Sequence, residues 1–261
     1  MKIAIDAGHG LHTPGKRCLK SLDPNQTREW VLNDRMVRIV TAHLERCGVE
    51  CLRLDDPSGN TDVSLKTRSA KANAAKADYC VSIHHNAGIS GGNGGGAVVY
   101  VYSGKHAPKA DKLQTNVYEG LVAAVGRYGN RSRPLAAQDL HMVRQTHMPA
   151  ILVEVGFMDS ATDVPLILDE SWAAKAAEGI ARGIVKTAGI DWVEEFVPYL
   201  ARVTTDSLNV RSGAGIDHDV AGSLVKGEVV YIIQEKRNGI TPWGRLNLGL
   251  GWISLGYTAR V

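Results

Sequence analysis

Three apolar segments in the first two thirds of the chain each carry an ionisable side chain at or near the C-terminal end. Short apolar runs that end in glycine or polar residues are typical of buried strands. In an open parallel sheet, ligands bind beyond the carboxyl ends of the strands. We therefore predict that His9, His84 and Glu154 meet at one edge of a single sheet. The three runs are residues 3–7, 79–83 and 150–155.

The segments between these runs have the spacing of amphipathic helices. Strands that alternate with helices predict an α/β fold, with a twisted, mainly parallel sheet covered by helices on both faces. Thr27 and Asp62 are the expected N-caps of the first two helices. Residues 139–143 are predicted to form a short edge strand. The predicted helices span residues 28–47, 63–76, 106–127 and 171–188.

The composition of the chain changes near residue 190. Residues 191–198 contain three acidic residues and a proline, which is typical of a linker. Beyond this segment the helical period ends, and short alternating runs between glycine turns predict a small all-β barrel. We therefore predict two domains, residues 1–190 and 199–261, joined by this linker.

Composition also excludes several classes of function. A net charge of +3 is too small to indicate a nucleic-acid partner. The chain lacks an apolar stretch of the ~20 residues that cross a bilayer, so we expect no membrane insertion. Met1 is followed almost at once by the first strand, which leaves no room for a secretory signal. We therefore expect synthesis in the cytoplasm without a signal peptide, and we infer no obligate protein partner.

Four residues form a candidate zinc site. Two histidines and a carboxylate suit Zn²⁺ and leave one position for water, and a second carboxylate can act as the general base. The sequence offers His9, Glu29 and His84 as ligands and Glu154 as the base. Each residue also has a structural alternative, such as a hydrogen-bonded strand-end histidine or a solvated acid in a helix. Of the four residues, Glu154 most strongly indicates a functional rather than a structural role, because burying a carboxylate among aliphatic residues is costly.

Four sequence blocks resemble the zinc-dependent N-acetylmuramoyl-L-alanine amidases of the type 3 family. The resemblance implies that His9, Glu29 and His84 hold one zinc ion per chain and that Glu154 is catalytic. His85 is the main alternative to His84 as the zinc ligand. Strand alternation points the two rings to opposite sides, and in the family the ligand is the first histidine of this block. The blocks are Asp6-Ala7-Gly8-His9-Gly10, Glu29 with Asn33, residues 81–87 and residues 148–157.

The tail is similar to bacterial SH3 domains that bind cell walls, through residues 207–215, 224–230, Trp243 and 251–253. Trp243 and Trp252 are candidates for a wall-recognition groove, and core packing is the equal alternative. An amidase followed by such a module resembles a phage or prophage endolysin. The implied substrate is peptidoglycan, cleaved between N-acetylmuramic acid and L-alanine in the wall of a Gram-positive host after release of the enzyme. The alternatives are a bacterial autolysin, a spore-associated amidase or, less favoured, a non-catalytic wall-binding protein.

Overall fold

The computed structural model describes residues 1–104 and 107–261. It divides into two compact units, Met1–Val193 and Glu194–Val261. The elements of the first unit are β1 (Lys2–Ala7), α1 (Glu29–Arg46), β2 (Glu50–Arg53), α2 (Leu65–Ala74), β3 (Tyr79–Asn86), β4 (Val98–Tyr102), α3 (Pro108–Val125), β5 (Leu135–Gln138), α4 (His141–Gln145), β6 (Ala150–Phe157), α5 (Val164–Leu168) and α6 (Glu170–Ala188).

The strands of the first unit form one sheet in the order β2-β1-β3-β6-β4-β5. β2, β1, β3 and β6 are parallel, so their carboxyl ends share one edge. β4 runs antiparallel to β6, and β5 is parallel to β4. The predicted α/β class and mainly parallel sheet are therefore confirmed, and the loops that precede β4 and β5 lie at the same edge as the ends of β1, β3 and β6.

Strand alternation divides the apolar side chains between two cores, one on each face of the sheet. Ile3, Ile5 and Ile151 pack with α1, α3 and α6. Ala4 and Leu152, their neighbours along the chain, pack on the opposite face with residues of α2 and α4. Helices therefore cover both faces, as the sequence predicts.

Several predicted boundaries are wrong. Residues 139–143 do not form a strand: β5 ends at Gln138, and α4 buries Met142 and Val143 in one helical turn. Short apolar runs have too few residues to separate a period of two from one of 3.6. The caps also differ from the prediction, because α1 has Arg28 at its N-cap position and α2 is capped by Ser64, which accepts a hydrogen bond from the Thr67 N–H.

The first unit extends slightly beyond the predicted boundary at residue 190. The Trp192 ring lies 4.1 Å from the guanidinium carbon of Arg182 and 5.3 Å from the His43 ring. The Val193 N–H donates to Cys47 Sγ at 3.4 Å. The segment 191–193, expected in the linker, therefore packs on the ends of α1 and α6.

The second unit is all-β, as predicted. Its strands pair in the order β13-β7-β10-β11-β12-β8-β9 around a small core that includes Ala201, Val210 and Ile232. The strands are β7 (Tyr199–Val203), β8 (Ser207–Arg211), β9 (Val220–Val225), β10 (Val229–Asn238), β11 (Thr241–Leu246), β12 (Trp252–Ser254) and β13 (Thr258–Arg260).

Candidate active site

The turn after β1 presents His9 at the carboxyl edge of the sheet. His9 has φ = 68°, a left-handed conformation that few residues other than glycine adopt. The preceding Gly8 lies under the His84 ring: a Cβ at position 8 would be 2.0 Å from His84 Cε1. A residue without a side chain is therefore required at position 8 to let the two imidazoles approach, and their rings meet edge to face with centroids 5.0 Å apart.

Glu29 lies between the two histidines. It is in the first turn of α1, and its side chain is 1% exposed. Its Oε1 is 3.2 Å from His84 Nδ1 and 3.4 Å from His9 Nε2. Asn33, one helical turn later, donates to Glu29 Oε1 and to the Gly8 carbonyl. The side-chain amide of Asn33 thus links the first turn of α1 to the turn after β1.

The side chains of His9, Glu29 and His84 fit a tetrahedral metal ion. Within the described residues, one ligand atom from each lies within 4.8 Å of the other two. Two ligands ~2.0–2.1 Å from a tetrahedral zinc are about 3.3–3.4 Å apart, close to the two Glu29–histidine separations. Glu29 Oε2 is buried without a hydrogen-bond partner among the described residues, and the Lys16 ammonium lies 3.6 Å from it. A cation at this position would satisfy a group that is otherwise costly to bury.

The pKa values of Glu29 and His84 reflect the position of the Glu29 carboxylate between two imidazoles. Burial alone would raise the pKa of Glu29, but hydrogen bonds and charge from His84 and His9 hold that pKa far below its usual value. Burial alone would lower the pKa of His84, yet the hydrogen bond to Glu29 and the charge of Glu154 raise it. Glu29 is therefore ionised, as a metal ligand must be.

His85 points away from this cluster. Its Nδ1 is hydrogen-bonded to Asn33 Oδ1 at 2.7 Å, and its side chain is buried. Burial lowers the pKa of His85 to about 3, so its ring is neutral. The structure thus brings His84, and not His85, into the group with His9 and Glu29.

Glu154 stands beside this group on β6. Its Cα is the register partner of His84 on β3. Its Oε2 is buried and has no hydrogen-bond partner among the described residues. Burial raises the pKa of Glu154 to about 7, with Glu29 adding to the rise and the charges of His84 and Lys16 opposing it. A carboxyl with a pKa near neutrality can both accept and return a proton.

The glycine-rich loop 88–96 follows β3 at the carboxyl edge of the sheet, and two aspartates that the sequence did not single out hold it. Asp159 Oδ2 accepts the N–H groups of Gly88, Ile89 and Ser90 at 2.8–2.9 Å. Asp163 Oδ2 accepts the Gly96 N–H at 2.7 Å. These hydrogen bonds hold the backbone of the loop close to the segment that follows β6.

Comparison with known families decides the class of the first unit. Residues 3–186 match the N-acetylmuramoyl-L-alanine amidase family. The chain belongs to this family. Residues 206–259 match the bacterial SH3 domain, so both predicted resemblances are confirmed.

Relatives of this amidase include phage and bacterial proteins. The endolysin of Bacillus phage SPP1 is 32% identical over 186 residues, which are 70% of this chain and 65% of the endolysin. A sporulation-specific N-acetylmuramoyl-L-alanine amidase of Bacillus subtilis is 31% identical over 70% of this chain and 67% of its own length. The solved catalytic domain of the amidase CwlV from Bacillus (Paenibacillus) polymyxa var. colistinus superposes with a TM-score of 0.63 at 27% identity, covering 73% of this chain and 99% of that domain.

The SH3 unit of this amidase contains a groove of about 470 Å³. Trp243 lines the groove and is otherwise buried, whereas Ile216 and Tyr257 line it with 82% and 55% of their surfaces exposed. Trp252 is half-buried and is not part of the described lining. Of the two predicted wall-binding tryptophans, the structure brings only Trp243 to this groove.

Proposed function

We propose that this chain is a zinc-dependent hydrolase that cleaves the amide between N-acetylmuramic acid and L-alanine in peptidoglycan. The observation that carries the proposal is the convergence of His9, Glu29 and His84 beside Glu154, in a chain of the amidase family. Three nitrogen and oxygen donors with an adjacent free carboxyl are the residue set of a catalytic zinc site rather than a closed structural one.

His9, Glu29 and His84 would hold one zinc ion per chain. Zinc bound by three protein ligands polarises a carbonyl group and lowers the pKa of water. The chain itself keeps Glu29 ionised, because hydrogen bonds and charge from His84 and His9 outweigh the effect of burial on its pKa. Asn33 fixes the direction of the Glu29 carboxylate through its hydrogen bond to Oε1.

Glu154 would transfer the proton. In hydrolysis of an amide, the attacking water loses a proton and the departing amine gains one, so one group that does both closes the cycle. Glu154 Oε2 has no hydrogen-bond partner among the described residues, so no hydrogen bond has to break before this oxygen accepts a proton. Its raised pKa, which burial causes, suits a carboxyl that alternates between the two forms near neutral pH.

The second unit would keep the enzyme on the wall. The groove lined by Trp243, Tyr257 and Ile216 offers aromatic and aliphatic surface next to polar side chains, which suits a peptide of the wall. No helix in the described part of the chain is long and apolar enough to cross a membrane. We propose that the protein acts on the wall after release, as a phage or prophage endolysin for a Gram-positive host.

A bacterial autolysin or a spore-associated amidase is the second candidate, because the chain is also 31% identical to a sporulation-specific amidase. The chemistry is the same, and the difference lies in the moment of expression. Timing of the transcript after prophage induction, compared with timing during sporulation, separates these two origins.

The reaction is tested by mass spectrometry of the products that the purified chain releases from Gram-positive walls. We expect glycan fragments free of peptide and stem peptides with a free N-terminal L-alanine, with loss of both after chelation and recovery with added zinc. Cleavage of a glycosidic bond or of a bond inside the stem peptide would contradict the proposal. No product at any zinc concentration would favour the non-catalytic wall-binding alternative.

A further inference from the structure

Arg68 of α2 reaches across the face of the sheet to the turn that carries His9. Its side chain is 1% exposed, which is rare for an arginine. Arg68 lies one helical turn before the buried Ala72, so it occupies a position of α2 that would ordinarily hold an apolar residue.

Each of the five N–H groups of the guanidinium has an acceptor. Nη1 lies 2.7 Å from both Asp6 Oδ2 and the Ala7 carbonyl. Nη2 lies 2.8 Å from the His9 carbonyl and 3.3 Å from Asp62 Oδ1. Nε donates to the Val63 carbonyl at 2.8 Å. A lysine has three donors on a single nitrogen and cannot reproduce this planar fork.

The contacts of Arg68 fall on both sides of the strained residue. The Ala7 carbonyl precedes and the His9 carbonyl follows the N–Cα bond of His9, whose φ has the disfavoured value of 68°. From the other side of the turn, Asn33 binds the Gly8 carbonyl, and Gly8 N–H donates to the Ile83 carbonyl. Without these partners the backbone at position 9 would relax toward the common conformations, and the His9 ring would turn away from Glu29.

We propose that Arg68 is a positioning residue that holds His9 in the conformation required for metal binding. The inference rests on the proposed zinc site, because it assigns to Arg68 part of the affinity of that site. Residues that orient metal ligands typically change metal affinity about 10- to 100-fold when they are replaced.

The test is a zinc titration of metal-free protein in competition with a chromophoric chelator. We expect Arg68→Lys, which keeps a positive charge beside Asp6, to bind zinc about 10- to 100-fold more weakly than the wild type. The matched control is Arg35→Lys. Arg35 is partly buried and, like Arg68, donates to backbone carbonyls, those of Ile167 and Leu168, but within the described residues it makes no hydrogen bond to the His9 turn. This control should bind zinc as the wild type does, and urea midpoints compare the stability of the two variants.

Asp62→Ala provides a second variant if Arg68→Lys fails to fold. It removes one acceptor of Nη2 at a half-exposed position, and we expect a loss of zinc affinity of about two- to fivefold, the size of one hydrogen bond. Unchanged zinc affinity in the folded variants, or an equal loss in Arg35→Lys, overturns the role of Arg68. A wild-type chain that binds no zinc overturns the proposed metal site itself, so the two failures are distinguishable.

Discussion

His84 and Glu154 are register partners on adjacent parallel strands, yet their side chains have different surroundings. His84 Nδ1 lies 3.2 Å from the carboxylate of Glu29, whereas Glu154 Oε2 is buried without a hydrogen-bond partner in the described part of the chain. His84 belongs to the cluster with His9 and Glu29, whereas Glu154 remains free to exchange a proton. This pairing underlies the division of roles that we propose.

Asp55 should stabilise the first unit in a pH-dependent way. Its buried carboxylate accepts hydrogen bonds from Arg53 and from the Ala7 N–H. Burial alone would raise the pKa of Asp55, but these partners hold it below its ordinary value of 3.8. Because the folded pKa is the lower one, the stabilisation is present above pH ~3.8 and is lost as the pH falls through the folded pKa.

We therefore expect Asp55→Asn to lower the free energy of unfolding by about 3–5 kcal/mol at pH 7 and by less at pH 3, below the ordinary pKa of the carboxyl. Urea unfolding of metal-free protein at both pH values measures the difference. An equal loss at both values would indicate that the charge of Asp55 is not the cause.

The sequence was sufficient for the sheet and for the meeting of His9, His84 and Glu154 at its carboxyl edge, because these residues follow or interrupt apolar runs whose period is clear. Glu29 opens a helix and was assigned from the family resemblance, and the roles of all four residues stay predictions. The sequence was insufficient for Arg68, since a basic residue on a short helix is most simply explained by solvent exposure. The caps were missed for a related reason. Asp62 has a side chain suited to an N-cap, but it binds Thr13 and Arg68 instead, and only tertiary structure reveals such competing partners.

The close packing of α3 against α6 depends on glycine. A Cβ at Gly120 would lie 2.2 Å from the Gly179 carbonyl oxygen, a backbone atom that cannot move alone. An alanine in a helix ordinarily gains about 1 kcal/mol over glycine. Here we expect Gly120→Ala to destabilise the protein by about 1–3 kcal/mol. Lys112→Ala, at an exposed position of the same helix, should change stability by less than about 0.5 kcal/mol. A more stable Gly120→Ala protein would contradict this packing.

Trp192 should anchor the end of the catalytic unit. Its ring contacts Arg182 and His43. We propose that residues 1–193 fold alone and keep cleavage of soluble muropeptides. A chain ending at residue 190 lacks this ring and should be less stable by about 1–3 kcal/mol. Thermal unfolding of the two truncated chains measures this difference, and equal stability would indicate that the domain ends at residue 190.

The SH3 unit should matter for intact walls and not for small substrates. Ile216 lines the groove with 82% of its surface exposed, so Ile216→Ser should weaken sedimentation with walls without unfolding the domain. Leu250→Ser, exposed but outside the groove lining, is the matched control.

Removing the whole SH3 unit should reduce lysis of cells far more than cleavage of soluble muropeptides, because the unit raises the local concentration of the enzyme at the wall. An equal reduction of both activities would exclude a targeting role.

The most direct test of the account measures zinc content and turnover together in Glu154→Gln and His84→Ala. The amide of Glu154→Gln keeps the shape of the side chain but cannot accept a proton from water. We expect this variant to retain one zinc per chain and to lose at least about 100-fold in turnover on soluble muropeptides. His84→Ala should lose both zinc and turnover. Equal loss of zinc in the two variants would make Glu154 a metal ligand, and full turnover of Glu154→Gln would remove it from the reaction.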